Sequence, residues 1–537
     1  MVKVRQIVLT VALFGSLGAA AAARHQQKFF ADDPIQVMPP PMSVGVIAQG
    51  GGHEGYDFLR QSLSRDPPVP TPAGAVNTLG EVPDSDWFTN RHHRRRMSRK
   101  QLQQADSTKG IPVGPFTVTN GKIDGIGKGF QMQDAKGEHF FIKADPARYP
   151  ELATAADVIV SRFLHAIGYN TPRNEIFDLK LSDLRLADGA RIKTVGGHTR
   201  RMTWTDIDEF ADETPKNPDG SFRVVTSLRI EGEIVGPFRY QGTRTDDPND
   251  ITPHENRRDL RGLYLVSAWL NNTDMKVGNT LDTVVEENGR RFIRHYLLDF
   301  GSALGSDGDA PKDARIGNEF MMATPGEAAK QILTLGVATK KWERVDYPKL
   351  TGIGNFESEI FDPDHWKSNF PNPAFQRRLP DDDFWAAKQI MAFTDDDIRA
   401  IVDTARFSDR RSTEYMIATL AARRDKIGRT AFSKVIPVDD FRVENGVLVF
   451  DDLAVRYGFV SPRNYRLQWF LFSNTDKVHA ALPGAASIQL PEDALRAPLN
   501  AYFGVLIDDP GNPLKTVRVY LRKEETGYKV VGIDRTW

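Results

Sequence analysis

The sequence predicts an α+β fold in which a strand-rich lobe and a mainly helical lobe are followed by a β-sandwich-like C-terminal domain. Three observations predict it. Apolar residues alternate with period two between Gly114 and Asp145, broken by turn signals. Helical stretches open and close 253–433, on either side of a long irregular region beyond Ser306. From about Val435 the alternation returns and runs to the end, as in "GVLVFDDLAVRYGF", "YRLQWFLFS" and "TVRVYLRKEETGYKVVGI".

The order of segments begins with "MVKVRQIVLTVALFGSLGAAAAARHQQ", where Lys3 and Arg5 precede an apolar run from Ile7 through Leu17 and small residues to Ala23. That is the layout of a secretory signal peptide over residues 1–23. Its apolar core is shorter than the roughly 20 residues of a bilayer span, so an uncleaved anchor is the lesser alternative. After cleavage no integral span is expected, and the mature chain is read as periplasmic or secreted, from a Gram-negative-type bacterium. The 537 residues contain no cysteine, so no disulfide and no thiolate nucleophile or metal ligand exists, which suits a periplasm better than a disulfide-rich setting. With 70 basic and 71 acidic residues, the net charge of −1 excludes a general polyanion binder, and nucleic acid is not an expected partner.

Residues 24–110 read as an extended N-terminal arm, rich in Pro and Gly at first and basic from Arg91 to Lys100. The basic run suits a solvated patch packed on its own domain better than a membrane contact. Residues 111–252 are read as a strand-rich region with insertions, which the resemblance given below makes a small lobe. Its strands lie around Phe116–Val118, Phe130–Met132 and Phe140–Ile142, with turn signals at Asn120-Gly121 and Lys136-Gly137, and they predict a small antiparallel sheet. A helix follows in "PELATAADVIVSRFLHAIGYNTP", opened by Pro150 and closed by Gly168. Residues 178–249 show no clear period.

The larger lobe, 253–433, opens on a buried helix in "HENRRDLRGLYLVSAWLNN" and carries further helices at "DDDFWAAKQIMAF", "TDDDIRAIVDTARF" and "RSTEYMIATLAARRDKIGRTAF". Thr394 before Asp395 to Asp397 is a start signal, because a hydroxyl cap and first-turn carboxylates both favour a helix N-terminus. Residues 434–537 form the β-rich domain.

The chemistry concentrates in "NNTDMKVGN" and "HYLLDFG". Asn288-Gly289 lies between two strand-like runs and favours a two-residue type I′ hairpin. Folding there brings Asn279 and Asp299 together at the open end, where a carboxamide and a carboxylate can share a divalent ion. Asp274 lies on the loop leading to the same end. Phosphoryl transfer needs a cation for the phosphates, hard oxygen ligands for magnesium and a carboxylate for the nucleophile. Lys143, in "FFIKADP", is the candidate cation and Glu151, at the start of the next helix, its candidate partner.

In order, "FIKADP…ELATAADVI", "NNTDMKVGN" and "LLDFG" resemble the signatures of the protein-kinase-like fold, closer to the divergent HipA-like and CotH-like kinase families than to eukaryotic protein kinases. The resemblance spans roughly Gly114 to Gly305. It implies a two-lobed kinase-like domain that uses ATP or another nucleotide with Mg2+. By position, Lys143 would contact the phosphates and Glu151 would hold it. Asp274 would be the catalytic base, Lys276 would steady the transferred phosphate, and Asn279 and Asp299 would ligate magnesium. Gly125, Gly127 and Gly129 of "DGIGKGF" stand where the family has its phosphate-covering loop. The chain departs from the family in carrying Asn272-Thr273 before the aspartate, in its glycine spacing, and in having no Ala-Pro-Glu after the Asp-Phe-Gly.

Singly, each signal has a plainer reading: Lys143 a surface strand lysine, Glu151 a first-turn carboxylate, Asp274 a turn cap, the glycines turn residues. Asp299 is hardest to explain plainly, since an aspartate directly after "HYLL" sits near a core and needs a partner or an ion. No His-Glu-x-x-His, Gly-x-Ser-x-Gly or Gly-Lys-Ser/Thr run is present. The leading expectation is an exported kinase-like phosphotransferase acting on an unknown protein or envelope substrate, with nucleotidyl or glutamyl transfer from the same site left open. The alternative is a catalytically inactive kinase-like scaffold or binding protein of the envelope. A structural envelope protein without a nucleotide site is a third reading, favoured if Lys143 and Asp299 stand far apart.

Overall fold

Alternation in the first half produces a large mixed sheet. The structure, a computed structural model, describes residues 27–51, 69–104, 111–121, 129–194, 198–321 and 340–537. The expected signal peptide and two of the three loop glycines, Gly125 and Gly127, lie outside these. Among the described residues no helix is long and apolar enough to cross a membrane. Two compact units result, one made of Gln36–Val76 and Val82–Lys434, the other of Val435–Trp537 with Asn77–Glu81 and the described residues of Met1–Ile35.

In the larger unit the strands are β1 (Phe116–Gly121), β2 (Gly129–Gln133), β3 (His139–Ala144), β4 (Asn174–Leu179), β5 (Leu184–Lys193), β6 (Thr199–Arg201) and β7 (Phe222–Leu228). They form one seven-stranded sheet in the order β4-β7-β3-β2-β1-β5-β6, antiparallel throughout except that β1 runs parallel to β5. The three-strand sheet expected from the sequence is thus only its middle. Lys136-Gly137 does turn the chain, with Gly137 at φ 85, but Asn120-Gly121 stays within β1 beside a bulge. Phe116, Val118, Phe130, Met132, Phe140 and Ile142 point to one face and share a core.

A short helix, α1 (Arg99–Gln104), belongs to the N-terminal arm; α2 (Leu152–Ile167) follows β3, and α3 (Trp204–Glu213) precedes β7. Next come the two-residue β8 (Glu233–Ile234), α4 (Arg258–Trp269) and the hairpin β9 (Thr280–Glu287) and β10 (Arg290–Leu297). Glu287 pairs with Arg290 across Asn288 and Gly289, whose φ values of 52 and 73 are those a type I′ turn demands. The helical half is α5 (Pro373–Gln376), α6 (Pro380–Met391), α7 (Asp395–Val402) and α8 (Arg410–Lys434). Thr394 caps α7 as expected, its hydroxyl accepting from the Asp397 amide at 3.3 Å. Buried Arg423 of α8 donates to the Ala268 and Trp269 carbonyls, satisfying the end of α4 where the Asp274 loop begins.

The arm is extended but tied down. Val44 and Ile47 pack with Val235, Val284 and Ile293, and Trp87 and Phe88 are buried. The basic run lies on its own unit, with Arg96 paired to Asp397 at 2.6 Å and Arg99 to Asp403 at 2.9 Å.

The smaller unit has a hairpin, β11 (Val438–Glu444) and β12 (Val447–Asp452), and a five-stranded antiparallel sheet in the order β14-β13-β15-β16-β17. Its strands are β13 (Arg466–Ser473), β14 (Val478–Ala481), β15 (Tyr502–Asp509), β16 (Asn512–Glu524) and β17 (Gly527–Arg535). Val438 and Leu448 of the hairpin share one core with Trp469, Val505 and Val519 of the sheet. Phe29 packs with Phe470, Phe472 and Tyr520 in a second, smaller cluster.

Candidate functional site

Strand alternation sends Phe140, Ile142 and Ala144 into the core and leaves Lys143 on the opposite face of β3. Two carboxylates meet it: Lys143 Nζ lies 2.7 Å from Asp299 Oδ1 and 3.4 Å from Asp157 Oδ2. Burial alone would lower the ammonium's pKa, but the Asp157 and Asp299 charges outweigh it and hold the group charged, above its ordinary range. The close approach of Lys143 to Asp299 is the opposite of the separation a purely structural role called for.

Glu151 is not the partner of Lys143. It sits before α2 in the left-handed region, φ 67, and both carboxylate oxygens accept from the Ser408 amide at 3.0 and 3.1 Å. Its place is taken by Asp157, inside α2. Asp157 also accepts from the Phe300 amide at 2.9 Å, so one carboxylate ties the strand lysine, the helix and the Asp299-Phe300-Gly301 turn together. The helix is aimed by Asp145, which follows Lys143 closely and accepts from the Ala153 and Thr154 amides at 2.7 and 2.9 Å.

The β9–β10 register carries the other half of the site. Leu297 pairs with Thr280, and the Leu298 amide continues the ladder to the Asn279 carbonyl at 2.9 Å, which leaves Asp299 one residue beyond Asn279's partner. Asp299 adopts φ 56 there, an uncommon conformation for a side-chain-bearing residue that marks a constrained position. Asn279 donates through Nδ2 to the Asp274 carbonyl at 2.8 Å and to its carboxylate at 3.0 Å, which leaves its Oδ1 as the acceptor. Asn369 donates to the other carboxylate oxygen of Asp274 at 3.3 Å, and Lys276 Nζ lies 3.6 Å from the first.

Lys143, Asp157, Asn279 and Asp299 line one cavity of about 430 Å³, whose apolar wall includes Phe141 and Leu281. Asp274 and Lys276 do not line it and reach it through Asn279. Gly129 belongs to the sheet: a Cβ there would stand 1.9 Å from the Ile142 carbonyl oxygen, so the close strand approach requires glycine.

Three residues of this neighbourhood escaped the sequence reading. Asp157 announces itself only as a carboxylate within the apolar run "AADVIV". Buried Lys312 donates to Thr273 Oγ1 at 2.6 Å and to the Ser302 carbonyl, fastening the loop before Asp274 to the segment after Gly301. Burial draws its pKa down to about 8 against the pull of Asp307 and Asp274. Asn369 arrives from a stretch without period.

Among the described residues no cluster of three or more His, Asp or Glu could hold a metal alone. A cation here would take Asp299 and Asn279 Oδ1 and complete its shell from a ligand's oxygens, which suits magnesium better than zinc.

No protein-family profile matches the chain, and no curated protein matches it. Among solved structures, the chain is similar to the Helicobacter pylori proinflammatory kinase CtkA, with TM-score 0.30 and 11% identity over 61% of this chain and 95% of that one. It is also similar to the Golgi casein kinase, with TM-score 0.29 and 8% identity over 70% of this chain and 86% of that one.

Proposed function

We propose that the larger unit is a two-lobed kinase-like domain and acts as a magnesium- and nucleotide-dependent phosphotransferase. The observation that supports this most is the Asp157–Lys143–Asp299 constellation on a cavity that also takes Asn279. A charged lysine flanked by two carboxylates is fixed in direction, which is what gripping phosphate oxygens requires. In this reading Lys143 binds the phosphates, Asp157 orients it, and Asp299 with Asn279 Oδ1 would hold magnesium. Magnesium would neutralise the charge that builds on the phosphate oxygens. Asp274 would take the proton of the attacking hydroxyl while Lys276 steadies the transferred group. The acceptor is an unknown protein or envelope molecule, and the signal-like N-terminus supports action outside the cytoplasm.

The test is a thermal-shift titration of the full chain with ATP, with and without magnesium, beside Asp299→Ala. Binding to the folded state alone raises stability by about 2.7 kcal/mol at a hundredfold excess over Kd, so the expected result is a magnesium-dependent rise in Tm that Asp299→Ala abolishes. No shift at millimolar ATP would sink the reading.

A further inference from the structure

A second cavity, of about 350 Å³, lies one turn along α2 from Asp157. Arg91, Arg162, Arg173 and Arg294 line it with His165 and Tyr296, and no carboxylate is among its lining residues. Two carboxylates stand behind the guanidiniums: Glu175 accepts from Arg162 at 2.7 Å and from Arg173 at 2.9 Å, and Glu287 accepts from Arg294 at 2.6 and 2.8 Å. Arg91 donates to the His165 carbonyl at 2.9 Å, at the end of α2. Two of the lining residues carry a buried nitrogen without a hydrogen-bond partner: Nε of Arg162, a residue only 2% exposed, and Nε2 of His165. Unsatisfied buried polar atoms are costly and rare, and here both belong to side chains that line a polar cavity.

We propose that this cavity binds a small phosphate-type oxyanion, as inorganic phosphate or a phosphomonoester, and that its occupancy is felt at the neighbouring Lys143 site. Guanidinium forks match tetrahedral oxyanions in shape and charge, which makes Arg the side chain suited to such a group. The field has the right sign: burial and the Arg91 and Arg162 charges pull His165 down to about 3, so an anion there meets fixed positive charge and a neutral imidazole. The route between the sites is short. Pro172 and Asn174 line both cavities; Arg162 donates to the Asn174 carbonyl at 3.4 Å, and Asn174 Nδ2 donates to the Asp157 carbonyl at 3.3 Å.

Binding stands apart from the proposed function, whereas the coupling rests on it. The full chain carrying Lys143→Ala and Asp299→Ala, which disables the first cavity, is titrated calorimetrically with inorganic phosphate and with glycerol 3-phosphate. Saturable binding of either is expected, the tighter of the two telling the free ion from the ester. Adding Arg294→Gln, at the partly exposed rim, weakens it roughly tenfold, the scale of one charged hydrogen bond; Arg91→Gln, at the end of α2, does the same and covers a folding defect in either variant. No binding at millimolar anion, or an affinity in both rim variants equal to that of the parent without the rim substitution, overturns the site. In the wild-type chain the affinity for ATP with magnesium is measured with and without phosphate. A change of at least about twofold, lost in Arg294→Gln, is expected; an unchanged affinity overturns the coupling. Phosphate binding in a chain that ignores ATP would leave the site standing and remove the nucleotide reading.

Discussion

Asp157 and Glu151 make opposite claims on Lys143, and the helix decides between them. Glu151 stands outside the helix at φ 67 with its carboxylate turned to the Ser408 amide. Asp157 lies five residues inside it, about 7.5 Å of rise from Leu152, so the two carboxylates do not serve one lysine. Asp157→Ala removes the ion pair and the Phe300 amide's acceptor together. It is expected to weaken ATP binding at least tenfold, about 1.4 kcal/mol, on the scale of a charged hydrogen bond. Glu151→Gln keeps one acceptor for the Ser408 amide and is expected to leave the affinity within about twofold while lowering stability by about 1 kcal/mol. Calorimetric titration of both variants checks this, and equal losses of affinity would restore Glu151 to the site. Lys143, Asn279 and Asp299 stand out in the sequence because each ends or follows a strongly patterned element, and the structure gathers all three on one cavity. Asp157 does not stand out, since a template that seeks a glutamate at a helix start passes over an aspartate buried in its middle.

Among elements, the β9–β10 hairpin was legible because its information is local: Asn-Gly sets the turn, and period two then sets every pair down to Thr280 and Leu297, beside Asn279. The seven-stranded sheet was not, because β1 joins β5 in parallel and β3 joins β7 across long stretches of chain, pairings no local signal encodes. What orients α2 is intermediate in range. Asp145 bonds amides six and more residues ahead and faces Arg223 at 3.9 Å, so it fixes the helix to the end of β3. Asp145→Ala leaves those amides without an acceptor in a buried place and is expected to cost about 2 kcal/mol. Urea denaturation reads the loss, and hydrogen exchange should quicken at Ala153 and Thr154. A variant with unchanged midpoint and unchanged exchange would mean that packing alone holds α2.

Across the larger unit, the N-terminal arm is held by a charge that composition does not reveal. Pro and Gly announce an extended segment, yet "DSDWF" carries the residues that anchor it: Trp87 stacks on His295 with ring centroids 3.5 Å apart, and Asp86 approaches His295 Nε2 at 3.7 Å. His295 Nδ1 meets Asp282 at 2.7 Å, and Asp282 also takes Arg244 at 3.2 Å. Burial would lower the imidazole's pKa, but Asp282 and Asp86 outweigh it and raise it to about 9. A folded pKa above the unfolded value of about 6.5 means that the folded state holds the proton more tightly. The stabilisation is then complete below about pH 6.5 and is lost as pH rises through about 9, a change of order 3 kcal/mol. Lys312 works in the other direction: with its pKa drawn down to about 8, its charged form costs stability at lower pH, and that cost is relieved as pH climbs toward the ordinary lysine range. The raw pH profile therefore mixes opposite slopes, and the difference between wild type and His295→Gln isolates the histidine. Arg244 continues to neutralise Asp282 in the variant, so the unit is expected to fold. Urea midpoints of the two proteins should differ most near pH 6 and converge by about pH 9.5. A constant difference across that range would show that His295 is neutral in the folded chain and holds the arm by stacking alone.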